Sequence, residues 1–229
     1  MIRAMLPFLV ACGSSSQAAP ERAPLGKLEP VKDKLCVTKG DIQLGGAVTE
    51  PTSRSVALDT NGDAAAMTFT YRGPTAKTRE LASGQIRKQL GLKLRAANGC
   101  NLVYVMWRTD EGKAPVIDVS VKSNPGARTH AECGAGGYEK VKASRDGRLG
   151  LVPVLAAGET HTLRAAITAD ELRAWIDDKL VWQGTLPETA RAMVGPAGVR
   201  SDNLSFDLVA FAAPRGSAST ANCKTDDGD

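Results

Sequence analysis

The sequence predicts an all-β fold: two antiparallel sheets packed as a sandwich, with at most one short helix. Three observations lead there. Short runs rich in strand-forming residues, MTFTYRG (67–73), IRKQLGLKLRA (86–96), CNLVYVMWR (100–108) and PVIDVSVKS (115–123), follow one another between Gly, Asn and Pro. Leu90, Leu92 and Leu94 alternate with Gln89, Gly91, Lys93 and Arg95, the period of two that marks a strand with one buried face. Runs of this kind continue over roughly 180 residues, and that many short strands must cover both their apolar faces and their edges.

In chain order, residues 1–11 carry one charge, Arg3, and an apolar run from Ala4 to Ala11. The run is too short to span a bilayer and has the length of the apolar region of an export signal. Leu9-Val10-Ala11-Cys12 resembles the bacterial lipobox, so Cys12 is expected to carry lipid after the signal is removed just before it. Residues 12–33, rich in Ser, Ala and Pro, read as that lipidated Cys and a flexible tether. The sandwich is expected over 34–213, and a polar tail over 214–229.

Within the sandwich, 100–108 is apolar on both faces, Leu102, Tyr104 and Met106 on one and Val103, Val105 and Trp107 on the other. That suits a central strand. Leu163, Ala165 and Ile167 alternate with Arg164 and Ala166, and Leu172, Ala174 and Ile176 with Arg173, Trp175 and Asp177. The stretch ADELRAW has helical character in isolation, but closely spaced turn signals favour a strand. Asp177-Asp178-Lys179 then forms the turn of a hairpin. The one helix expected lies near 187–193, where Pro187 suits a first helical turn. The closing strand, 204–211, places Leu204, Phe206, Leu208 and Ala210 on one face.

With Cys12 lipidated, four cysteines remain, and three pairings of them are possible. Cys100 opens the central strand and Cys133 closes the segment after the next strand, so neighbouring strands are expected to join them. Cys36 with Cys223 would then tie the two ends of the domain, in keeping with an exported protein. The net charge of +4 arises from 29 basic and 25 acidic residues scattered without a basic block, which excludes a nucleic-acid footprint.

Four stretches together, KQLGLKLRAANGCNLVYVMWR, VSVKSNPGARTHAECGAGGYEKV, HTLRAAITADELRAWIDDKLVWQG and GPAGVRSDNLSFDLVAF, resemble concanavalin A-like jelly rolls, and within them an uncharacterised branch in bacterial lipoproteins. The resemblance covers roughly 65–212; its cadence is a strand, a strand-turn-strand about a short acidic turn, then Gly-x-x-Gly-x-Arg before the closing strand. It implies a jelly-roll sandwich. It implies little about activity, because lectins, glycanases and adhesive modules share this fold.

The stretch Thr129-His130-Ala131-Glu132-Cys133 looks like chemistry, since HAE begins a zinc-deaminase signature. That signature needs a downstream Pro-Cys-x-x-Cys, and the cysteines after Glu132 are Cys133 and Cys223, outside any such motif. His130 and Glu132 therefore read as polar strand-edge residues and Cys133 as a disulfide partner. Glycanases of the resembled superfamily carry Glu-x-Asp-x-x-Glu on one strand; this sequence has no such run, nor a Gly-x-Ser-x-Gly elbow. Asp59, Asn61 and Asp63 begin like a calcium loop, but position twelve is Thr70 and the Gly falls at position four. A tight turn explains Asn61-Gly62 equally well. Residues 134–138, GAGGY, lack the Lys-Ser/Thr of a phosphate cradle and read as a bulged loop.

What remains is recognition. A sugar site pairs an aromatic face with planar polar groups in a cleft. Trp175 and Tyr138 are the aromatic candidates, Trp107 and Trp182 being better suited to the core; Arg108, Arg200, Asp202 and Asn203 are the polar ones. Residues 200–203 read equally well as a turn held by Asp and Asn side chains. Arg108 and Arg200, next to apolar strands, are expected at a sheet rim, where a guanidinium grips a uronate or hydroxyl groups. The expected function is a non-catalytic, lipid-anchored envelope protein, with the outer membrane as the expected site, that binds extracellular or wall polysaccharide without cofactor or metal. The alternative is an adhesive or assembly module binding an envelope protein, and a glycan hydrolase stands third.

Overall fold

A computed structural model describes residues 27–32, 35–144 and 149–216. Cys12, Cys223, the lipobox and the end of the polar tail lie outside them. The described residues form two antiparallel sheets, as the alternating pattern requires. The back sheet runs β1 (Glu29–Pro30), β14 (Leu204–Ala213), β5 (Ala64–Pro74), β10 (Thr160–Thr168), β11 (Glu171–Ile176) and β12 (Lys179–Thr185), with β3 (Ala47–Val48) also paired to β14. The front sheet runs β2 (Cys36–Lys39), β4 (Thr52–Ala57), β13 (Ala197–Asp202), β6 (Gln89–Asn98), β7 (Asn101–Arg108), β8 (Val116–Lys122) and β9 (Tyr138–Val141).

The core lies between the sheets. From the front come Leu90, Leu92, Leu94, Val103, Val105 and Trp107, and from the back Met67, Phe69, Leu163, Leu172 and Phe206. Phe69 meets both Trp107 and Phe206 edge-on, with ring centroids 5.9 Å apart in each pair, a favoured aromatic geometry. Trp107 and Trp182 are buried, as expected. The all-β two-sheet sandwich and the strand at ADELRAW match the sequence reading, and the hairpin turns at Asp177 and Asp178, both at positive φ.

Four details differ. Residues 130–133 form a helical turn, α1 (His130–Cys133), and not a strand edge. The Glu132 carboxylate reaches back to accept the N–H of Arg128 (2.7 Å) and of Thr129 (2.8 Å), half of a capping box. These bonds lower the pKa of Glu132, the Arg128 N–H being the largest cause. The helix expected near 187–193 is α2 (Glu188–Arg191), with Pro187 as its N-cap, so the described residues hold two single turns of helix. In β14 the register shifts between Leu208 and Ala210; the bulge turns Ala210 outward and puts Phe211 in the core. Lastly, β1 pairs with Ala212 and Ala213 inside the stretch expected as tether.

The Cys100–Cys133 disulfide is present. Cys36 is disulfide-bonded as well; its expected partner, Cys223, lies outside the described residues. The loop at 59–63 is a tight turn. Asn61 Oδ1 accepts the N–H of Asp63 (2.9 Å), and the Asp63 carboxylate pairs with Arg95 (2.6 Å).

Candidate functional site

The period of two that buries Leu90, Leu92 and Leu94 turns Gln89, Gly91 and Lys93 to the outer face of the front sheet. Pairing extends this polar face sideways in rows. One row is Arg54, Arg200, Gly91, Met106 and Asp118; the next is Gly198, Lys93, Tyr104, Ser120 and Lys140. The loop from Thr75 to Lys88 folds over one side and the turn after α1 over the other. Between them runs a groove of about 350 Å³.

Its floor is held by charge. Asp202, fully buried, accepts from Arg54 Nη2 (2.9 Å), Gln89 Nε2 (2.7 Å) and Arg200 Nε (2.9 Å). Burial alone would raise its pKa. The Arg200 and Arg54 guanidiniums and the Gln89 amide outweigh this and hold Asp202 below the usual carboxylate range. The Arg200 guanidinium lies over the Tyr104 ring, 4.6 Å from its centroid. Gly91 separates their strands. A Cβ there would sit well inside contact distance of the Val105 carbonyl oxygen and 2.9 Å from Met106 Cα, so no larger residue fits.

Along the open side, Tyr138 stacks on Tyr104 with centroids 6.2 Å apart and planes 18° from parallel, and it remains 43% exposed. Arg108 Nη1 donates to Asp118 (2.6 Å) and its Nε to Asp110 (2.8 Å), while Lys140 reaches the other Asp118 oxygen at 3.2 Å. Gln89 also lines the groove. Its Oε1 is buried and meets no hydrogen-bond donor among the described residues, a cost that a donor from outside would relieve.

Of the residues singled out in the sequence, Arg108, Arg200 and Tyr138 line this groove together. Arg108 ends its strand, as expected. Arg200 lies within β13, 4% exposed, and not at a rim. Asp202 sits beneath the floor. Asn203, at φ 57°, turns the chain into β14 and clasps the roof loop: its Nδ2 donates to the carbonyls of Arg79 and Arg87 (both 2.9 Å), and its Oδ1 accepts the Arg79 N–H (2.8 Å). Trp175 lies elsewhere, on the outer face of the back sheet, with Arg164 stacked 4.2 Å above its ring.

Sequence reading missed Arg87, Gln89, Tyr104, Asp118 and Lys140, all groove-lining. Gln89 was visible as the polar side of an alternating strand. Arg87 carried no signal, because its place depends on a clasp from a residue 116 positions away.

No known family profile matches the sequence, and no curated protein does. Among solved structures the chain is similar to a carbohydrate-binding module, CBM66, from Bacillus subtilis, with 12% identity over 82% of this chain and 96% of that one, at a TM-score of 0.48. It is also similar to a tetrameric galectin from the ball sponge Cinachyrella sp., 13% identical over 72% and 99% at 0.42. A third is the carbohydrate recognition domain of Emp46p, 12% identical over 82% and 84% at 0.42. These are jelly-roll sandwiches of the concanavalin A-like kind that the sequence resembles. The sheet order and registers fix the fold of this chain by themselves.

Proposed function

We propose that the protein binds polysaccharide in the groove on the front sheet, without turnover, while lipid on Cys12 holds it at the bacterial envelope. The observation that carries this reading is the pairing of an exposed aromatic platform, Tyr138 on Tyr104, with a buried acceptor lacking a donor, Gln89 Oε1. A sugar ring offers what both need: a C–H face for the tyrosine and a hydroxyl for the amide oxygen. Binding is favoured over hydrolysis because glycosidases need two carboxylates about the scissile bond. Among the described residues the groove lining supplies one, Asp118, engaged by Arg108 and Lys140. The alternative is an adhesive module that binds a protein by its sheet faces or edges, and strand addition at the β12 edge is the form of it that is less favoured. The outer edge of β12 already receives the N–H groups of Ser144 and Gly150 at 2.8 Å each.

Isothermal titration against a panel of envelope and wall polysaccharides tests the reading. Tyr138→Ala is expected to weaken binding by about 1–3 kcal/mol, as loss of an aromatic anchor does, with an unchanged melting curve. Wild-type protein that binds no glycan but captures a defined envelope protein would favour the adhesive module.

A further inference from the structure

We propose that the groove selects polysaccharides bearing carboxylates, the uronic-acid glycans, and that Arg87 together with Lys140 reads the charge; this rests on the glycan-binding reading above. Arg87 lies in the roof loop, whose position the Asn203 clasp fixes at Arg79 and at Arg87 itself. Its side chain is held by a neutral partner: Nε and Nη2 both donate to Gln85 Oε1, at 3.0 and 2.8 Å. No carboxylate among the described residues pairs with it. Across the groove Lys140 is 68% exposed at its side chain and shares Asp118 with Arg108, which Asp110 engages as well.

Four cationic side chains line the groove, Arg87, Arg108, Arg200 and Lys140. Asp202 answers Arg200 from beneath and Asp110 and Asp118 answer Arg108, which among the described residues leaves Arg87 without a carboxylate and Lys140 sharing one. Cations gathered along a cleft with low-dielectric walls focus their field into it. A pyranose on Tyr138 would leave its ring substituents between the roof and the β9 edge, within the field of Arg87 and Lys140. A neutral glycan would satisfy the tyrosine and Gln89 yet bring Arg87 no counter-charge and Lys140 none beyond its share of Asp118. A uronate satisfies all of them, because a planar carboxylate matches the fork of a guanidinium.

The test titrates the protein with polygalacturonate and alginate, with fully methyl-esterified polygalacturonate, and with dextran sulfate. Esterification keeps the sugar backbone and removes its charge. The uronates are expected to bind at least about tenfold more tightly than the ester. Arg87→Gln should shrink that preference by lowering uronate affinity towards that of the ester, with the melting curve unaltered. Equal binding of the charged and esterified polymers overturns the inference and leaves glycan binding standing. Dextran sulfate binding as tightly as the uronates, with no effect of Arg87→Gln, overturns it in favour of general attraction to polyanions. If no polymer binds, charged or neutral, it is the glycan-binding reading that fails.

Discussion

Asp202 joins two guanidiniums and an amide out of contact with water. Removing one member of such a network leaves the others buried without a counter-charge, at a cost of about 3–5 kcal/mol. Asp202→Asn is therefore expected to lower stability by about that much in urea denaturation. The network also sets a pH dependence. The folded-state pKa of Asp202 lies below its ordinary value of 3.8, so its contribution is complete above that value. It is lost as pH falls from there through the depressed folded-state value, because the unfolded chain binds the proton more readily. Urea midpoints followed into acid should fall in that window for the wild type and less steeply for Asp202→Asn. Gly91 imposes a different constraint, a shortage of space. Gly91→Ala drives a methyl group into the backbone of β7 and is expected to cost about 3 kcal/mol or to prevent folding; circular dichroism and a melting curve decide.

The roof loop depends on Asn203 and the opposite wall on the Cys100–Cys133 disulfide. Asn203→Gly keeps the positive φ but deletes the clasp, so exchange of loop amides between Arg79 and Arg87 should quicken while the core strands stay protected. The disulfide closes a loop of 33 residues, worth about 3–4 kcal/mol in the chain-entropy model. The Cys100→Ser, Cys133→Ser pair should lose about that in denaturant, and glycan affinity with it, since Ala135 and Tyr138 follow directly on the bond. Legibility in the sequence divides along the same elements. Strands β5 to β8, β10 to β12 and β14 were readable because each alternates or carries apolar residues on both faces. By contrast, β4 (TSRSVA) shows no apolar alternation, and in β13 (AGVRSD) residues 200–202 read equally well as a turn. Every one of their residues is buried, yet the polar ones serve one another, as Arg54 does Asp202. The turn α1 was missed because four residues show no period; Glu132 three places after Thr129 was the signal that would have found it. Arg108 was legible as a rim residue and Tyr138 as a scarce aromatic, whereas Arg200 was expected at a rim it does not occupy; their convergence required the β13–β6 pairing, which composition does not encode.

At the scale of the whole molecule the sandwich has two unlike outer faces, the grooved front and a back on which Arg164 covers Trp175. Lipid on Cys12 remains a proposal. Cys12→Ser is expected to release the protein from membranes or leave the precursor unprocessed, since attachment needs more than one acyl chain; fractionation and the mass of the mature N-terminus check it. Anchored in this way, the domain would meet its ligand through the front face. Tryptophan is distributed with the same asymmetry. Trp107 and Trp182 lie in the core, Trp175 lies on the back, and none lines the groove, which carries tyrosines instead. Intrinsic fluorescence excited at the red edge is therefore a clean gauge of unfolding and blind to occupancy. Saturating glycan should leave the emission maximum in place, and a shift on titration would report a ligand seated over Trp175, on the opposite side of the protein.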